Sequence, residues 1–365
     1  MSKIKDQTMS SKVSWESTIG LLDSVKVDEV GVKERVSSLS TRSIKRESKL
    51  QALNYVVSMC DLTTLEGEDT EGKIHQMTAK AIRPDPTDDD VPSAAAVCVY
   101  PSLVSTAKEI IGTSNVKVAS VSSYFPSGQV PIESKLLDTQ YAIDEGADEI
   151  DIVINRKAFF EGDYRKVFDE IVALKEACGD KHLKTILEVG ELRTYDNIKK
   201  ASLIALGAGS DFIKTSTGKI SNGSSKEACL VMAKAVYEFK ESTGFSAGIK
   251  VAGGIRNSKD AIRYLIIIKE ELGEEWLSPN YFRFGASSLL DDVLRQIRKL
   301  KTNAYQSSYY FPRGEIWING NIQNQLNQIV LFLSNQNMGI LLMVNSQHQI
   351  LKNISKLYPH LLKKY

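Results

Sequence analysis

The chain has 365 residues, enough for one large domain or two of medium size. Its 46 basic and 45 acidic residues leave a formal net charge of +1, which gives no footprint for nucleic acid as a main partner. Apolar residues make up 42%, enough for a sizeable core, and the four cysteines (Cys60, Cys98, Cys178, Cys229) form no CxxC pair and no zinc spacing with the four histidines.

The N-terminal stretch 1–46 is Ser- and Lys-rich and lacks an apolar leader core, so no signal peptide is expected and the thiols read as reduced and cytoplasmic. A helix or two is expected there, for example over Trp15–Val25. From residue 47 to 304 apolar runs alternate with amphipathic ones. Strands are expected at Val56–Leu62, Ala94–Tyr100, Val116–Ser122, Glu149–Asn155, Leu183–Val189, Asp211–Thr215, Gly248–Ala252 and Tyr281–Gly285. Helices are expected between them, at Pro101–Ile111, Glu133–Glu145, Tyr164–Cys178, Asp196–Leu206, Lys226–Lys240, Ser258–Leu272 and Leu289–Leu300. Strands that alternate with helices pair in parallel through crossovers, and eight such units over about 250 residues fit a closed (β/α)8 TIM barrel of the α/β class. A doubly wound open sheet is the alternative. The chain contains no GxGxxG, Walker A or HExxH pattern, which counts against dinucleotide, P-loop and zincin readings. The stretch 305–365 is an atypical C-terminal tail, rich in Asn, Gln, Leu and Ile, whose apolar runs are too short and interrupted to cross a bilayer.

Charged residues inside the apolar runs carry the chemistry. Lys214 ends Asp211-Phe212-Ile213-Lys214 and is followed by Thr215-Ser216-Thr217-Gly218-Lys219. Burial disfavours its charge, and a neutral amine can form a Schiff base with a carbonyl. Taken alone, it could equally be a lysine that snorkels from a strand end to water. Lys250, in Gly248-Ile249-Lys250-Val251-Ala252, has a matching context. If the two converge, each ammonium disfavours the other. Asp61 ends the first strand, Asp151 lies within the fourth and Lys184 opens the fifth. A buried aspartate in Ile-Asp-Ile-Val must be paired, and a lysine is its natural partner; a structural ion pair and a catalytic one are both consistent with that. In such barrels the loops after strands seven and eight often hold phosphate. Here these carry Gly253-Gly254 and Ser287-Ser288; Gly218 and Lys219 join them. Paired glycines can also be a mere turn, and the serines a mere helix cap.

Taken together, Asp61-Leu62-Thr63-Thr64-Leu65, Ala96 to Pro101, Glu149 to Val153, Gly190-Glu191-Leu192, Asp211 to Lys219, Ala252 to Arg256 and Phe284 to Leu290 resemble the deoxyribose-phosphate aldolase family of the Schiff-base type. They occur in family order over roughly residues 47 to 300, and the string Phe-Ile-Lys-Thr-Ser-Thr-Gly-Lys is specific. The resemblance implies a lyase that reversibly cleaves 2-deoxy-D-ribose 5-phosphate in deoxyribose phosphate catabolism, with no cofactor and no metal. It implies a sugar phosphate as the partner, with neither nucleic acid nor membrane, and leaves a homo-oligomer open. It assigns Lys214 as the Schiff-base lysine, Lys250 as the lysine that lowers its pKa and Asp151 as the acid of the proton relay. Asp61 and Lys184 become supporting residues, and Gly218, Lys219, Gly253, Gly254, Ser287 and Ser288 the phosphate side. Cys98 matches a strand cysteine near the pocket.

The chain departs from the family pattern at Val251, where a proline is usual, at Val189, where a threonine is usual, and at Ile220 to Ser224. Family tails can carry a tyrosine that assists proton transfer; Tyr305, Tyr309 and Tyr310 stand at that place. Two other readings remain at this stage. One is a related Schiff-base or transaldolase-like enzyme for another sugar phosphate. The other is a catalytically dead barrel serving as a binding scaffold.

Overall fold

A computed structural model describes residues 13–304, so the tail 305–365 and its tyrosines lie outside the described residues. Eight strands run in chain order: β1 (Cys60–Thr63), β2 (Ala96–Val99), β3 (Lys117–Val121), β4 (Glu149–Val153), β5 (His182–Ile186), β6 (Phe212–Lys214), β7 (Gly248–Ala252) and β8 (Phe282–Ala286). Each pairs in parallel with the next, and β8 pairs with β1, so the sheet closes on itself as a (β/α)8 barrel.

Strand alternation sorts side chains between two environments. Ile150, Ile152, Ile213, Ile249, Val251, Phe282 and Phe284 belong to the large apolar core that includes the surrounding helices. The alternate positions, Glu149 and Asp151, Phe212 and Lys214, Gly248 and Lys250, Arg283 and Gly285, face the barrel interior. The Phe212 ring fills the space that a side chain at 248 would need: a Cβ there would lie 2.2 Å from it. Register then sets the polar residues side by side. Asp151 lies opposite Lys184, and Lys214 opposite Lys250, which lies opposite Arg283.

The helices start where the sequence supplies a cap. Asp163 accepts from Lys166 N at the start of Tyr164–Cys178, Ser225 from Ala228 N before Lys226–Thr243, and Asn257 from Asp260 N before Ser258–Leu272. Two of these helices cover the residues expected of them; Lys226–Thr243 runs three residues further, to Gly244 in the left-handed region at φ +76°.

The first expected strand is a correction. Val56 and Val57 belong to helix Arg46–Ser58, and only Cys60–Thr63 is extended. The β-branched pair suggests a strand, but Leu53, Val56 and Val57 are all buried at helical spacing. The fifth strand also stops early, at Ile186, because Glu188 is left-handed and helix Val189–Leu192 follows. The N-terminal stretch holds two helices, Trp15–Leu22 and Glu29–Ser40, while helix Glu71–Ile82 was not among those expected.

The N-terminal helices Trp15–Leu22 and Glu29–Ser40 pack on the barrel's outer helices. Trp15 meets Phe168 edge-on at 5.4 Å between ring centroids, Val27 N donates to Asp196 Oδ1 at 2.7 Å, and Arg35 Nε donates to Glu271 Oε1 at 2.9 Å. Thr18 is buried where a Cβ on Gly207 would lie 2.2 Å from its hydroxyl. Gly207→Leu removes that space while raising local helix propensity. The expected result is faster hydrogen exchange in residues 15–22 with the barrel's circular dichroism retained; unchanged protection of 15–22 would show that Gly207 is not the seat of the docking.

Candidate active site

Seven charged side chains meet inside the barrel, and each is buried. Asp151 is the hub. Its Oδ2 accepts from Lys214 at 2.8 Å and from Lys250 at 3.0 Å, and its Oδ1 accepts from Lys184 at 3.0 Å. Lys184 also donates to Glu149 Oε2 at 2.5 Å. Lys250 lies 2.7 Å from Asp61 Oδ2, an ion pair whose direction is not that of a hydrogen bond. Arg283 closes the ring, donating to Asp61 Oδ1 at 2.7 Å and to Glu149 Oε1 at 2.9 Å. The Cys98 thiol is 4.0 Å from Asp151 Oδ2, and burial pushes its pKa up, so it is a neutral neighbour.

Four cations thus share three carboxylates. Burial alone would raise the pKa of every acid and lower that of every base. For Asp151 the three lysines outweigh burial and hold the carboxyl well below its ordinary range. Asp61 is likewise held down, against burial, by Lys250 and Arg283, and Glu149 by Lys184 and Arg283. Lys250 and Lys184 touch two carboxylates each and their pKa values rise despite burial. Lys214 touches only Asp151, so burial prevails and, with Lys250's like charge, lowers its pKa. Of the three lysines in the network, Lys214 alone has its pKa lowered.

The loop residues at the mouth also come together. Gly218, Gly253 and Gly254 all have positive φ, at +81°, +85° and +86°, where a side chain would be strained. Gly253 packs against Gly223 and lies close to Gly218 and Ser216, whose buried hydroxyl has no hydrogen-bond partner. Lys219 reaches across the mouth to Glu66 Oε1 at 2.8 Å. Ser288 precedes helix Leu289–Thr302 but makes no side-chain capping bond, and Ser287 is exposed beside it. At the departures, Val189 keeps its N–H on Thr215 O at 2.8 Å, and Val251 stays in register with Phe284.

All five expected interior residues, Asp61, Asp151, Lys184, Lys214 and Lys250, enter one network. Two members were not singled out from the sequence: Glu149 and Arg283. The signal was there. Glu149 stands two residues before Asp151, and Arg283 interrupts Phe282-Arg283-Phe284, so each occupies the inward parity of an apolar strand. Glu188, discussed below, carried no such signal.

The model of the DeoC/LacD family of aldolases matches residues 55–294. A human deoxyribose-phosphate aldolase is 41% identical over 308 residues, which is 81% of this chain and 97% of its own. A solved structure from Coccidioides immitis, described provisionally as a deoxyribose-phosphate aldolase, superposes with a TM-score of 0.59 at 26% identity, over 78% of this chain and 99% of its own. The tetrameric deoxyribose phosphate aldolase of Aeropyrum pernix, 23% identical, shares the fold with a TM-score of 0.53 over 72% of this chain and 100% of its own.

A lysine whose folded pKa is lowered binds its proton more weakly in the native chain than in the unfolded one. Below the ordinary lysine pKa it therefore opposes folding. Lys214→Met removes that opposition and leaves three cations for three carboxylates. It is expected to stabilise the protein near pH 7 by about 1 kcal/mol, or roughly 2–4 °C in Tm. The gain should shrink as pH rises through the ordinary lysine range. A Tm at pH 7 equal to or below wild type would contradict this charge count.

Proposed function

Because this chain belongs to the DeoC/LacD family of aldolases, we propose that it is a class I aldolase that reversibly cleaves 2-deoxy-D-ribose 5-phosphate to D-glyceraldehyde 3-phosphate and acetaldehyde. The observation that carries the reading is Lys214, buried, of lowered pKa and 2.8 Å from an ionised carboxylate. A transaldolase-like activity or an inert scaffold is not favoured by relatives of this identity and coverage. No helix among the described residues is long and apolar enough to cross a membrane. A cytoplasmic, self-associating enzyme acting on a sugar phosphate is the setting we propose.

Neutral Lys214 attacks C1 of the open-chain aldehyde, and loss of water leaves an iminium. Asp151, within hydrogen-bond reach of Lys214, stabilises that cation. Asp151 is paired with the Lys184 and Lys250 ammonium groups and with the Lys214 iminium and is a weak base by itself, so the C3 hydroxyl proton leaves through a water beside it. The C3 oxygen becomes the carbonyl of glyceraldehyde 3-phosphate as the C2–C3 bond breaks. Its electron pair moves into the iminium and gives an enamine on Lys214. Protonation at C2 and hydrolysis release acetaldehyde and restore the amine. Lys250, fixed by Asp61 and Asp151, keeps a positive charge beside Lys214, and Lys184 and Arg283 hold the carboxylates in place. Gly218, Lys219, Gly253, Gly254, Ser287 and Ser288 receive the 5-phosphate through backbone N–H groups, hydroxyls and one ammonium.

A coupled assay for glyceraldehyde 3-phosphate is expected to detect cleavage by the wild type and none by Lys214→Ala. Borohydride with substrate should add a stable mass at Lys214. A label on Lys184 or Lys250 instead would move the nucleophile elsewhere.

The second expected outcome concerns pH. Lys250→Leu removes the like charge and frees Asp151 for Lys214, so the pKa of Lys214 rises. The acidic limb of kcat/KM should move upward by about one pH unit or more, each unit costing roughly tenfold in neutral amine at pH 7. Activity should partly recover at alkaline pH. A profile that keeps its shape would remove Lys250 from the tuning of Lys214.

A further inference from the structure

Glu188 has no part in the network or the chemistry above, yet it is the most unusual residue at the barrel mouth. It lies two residues past the end of β5 and sits in the left-handed region at φ +58° and ψ +61°, a conformation that opposes an ordinary side chain. The residues on either side still bond to the segment that contains β6: Leu187 N donates to Lys214 O at 2.9 Å, and Val189 N donates to Thr215 O at 2.8 Å. Its carboxylate is fully buried, and burial pushes its pKa up against the pull of its hydrogen bonds from Thr217. A strained backbone and a buried acid are kept at the same position.

What that acid touches gives a reason. Thr217 donates its hydroxyl to Glu188 Oε2 at 2.5 Å and directs its N–H at both carboxylate oxygens, at 3.3 and 3.4 Å. The Thr217 hydroxyl in turn accepts from Lys219 N at 3.0 Å. The carboxylate therefore sets the turn Thr217-Gly218-Lys219, which begins three residues after Lys214. The far side of the same loop is held by backbone contact. A Cβ on Gly223 would lie 2.4 Å from Gly253 O, and one on Gly190 2.1 Å from Asn222 O. Ser224 N donates to both Ala252 O and Gly253 O at 3.1 Å. Behind Glu188, Arg156 Nη1 stands 3.8 Å away, pairs with Glu191 at 2.9 Å, and donates to the Pro126 and Ser127 carbonyls at 3.1 Å each. Loops after β3, β4, β5 and β6 are thus linked through one carboxylate.

We infer that Glu188 is a positioning residue for phosphate recognition: it holds the Thr217–Lys219 turn in the shape that receives the substrate's phosphate. It acts through Thr217 and touches neither the reacting carbons nor Lys214. The inference rests on the aldolase reading, and the test separates the two. Glu188→Gln and Thr217→Val each break the contact from one side. With 2-deoxyribose 5-phosphate, each is expected to raise KM about tenfold or more while kcat stays within about threefold. With unphosphorylated 2-deoxyribose, kcat/KM should stay within about twofold of wild type, and borohydride trapping at Lys214 should be unaffected. The double variant should be no worse than the weaker-binding single one, because the two changes remove one interaction. Parallel losses on both substrates, or no change on either, would overturn the assignment. If E188Q does not fold by circular dichroism, T217V, which keeps the carboxylate, decides by the same split. A wild type that cleaves neither substrate overturns the aldolase reading itself, and the inference with it.

Discussion

The site depends on a charge imbalance enclosed by a closed barrel. Lys184, Lys214, Lys250 and Arg283 share Asp61, Glu149 and Asp151, and all seven are buried. Taking ions from water is costly unless each finds a partner, so the network settles its charges by how many carboxylates each cation touches. Three cations touch two. Lys214 touches one, which it shares with two others. The proton is therefore held least firmly where the nucleophile is needed. Reactivity here is a remainder: the other three cations are satisfied, and the fourth is left with the weakest claim.

Such a network can exist because the barrel supplies both the enclosure and the spacing. Short parallel strands in fixed register place Lys214 beside Lys250 and Asp151 beside Lys184. Helix-side residues of the same strands fill the apolar core, so polar and apolar demands separate by alternation alone. Below the charges, Phe212 takes the room left by Gly248, and the Arg283 guanidinium lies 5.7 Å from its ring centroid. Above them, the loops are joined by glycine packing and by Glu188. The interior fixes proton affinities; the rim fixes shape.

Much of this was legible in the chain. A lysine or an aspartate inside an apolar run is conspicuous, because isolated burial would be so unfavourable that a partner must exist. That logic reaches Asp61, Asp151, Lys184, Lys214 and Lys250. Glu149 and Arg283 carry the same mark, a charge at the inward parity of an apolar strand. The same logic could not reach Glu188. A glutamate after a strand reads as a solvated loop residue, and its buried carboxylate meets Thr217 and Arg156, 29 residues ahead and 32 behind.

The sequence by itself determined the fold class, the order of the strands and five of the seven charged residues of the interior, because alternation, periodicity and capping are local and survive any arrangement of distant segments. It did not determine where helix and strand meet at Val56 and Val57, since burial against neighbouring helices, not β-branching, decided that boundary. Nor did it determine which of the three lysines in the network has its pKa lowered. That follows from distances among side chains on β1, β4, β5, β6, β7 and β8, up to 222 residues apart in the chain. Proton affinity is a property of the whole enclosed set, and only closure of the barrel defines the set.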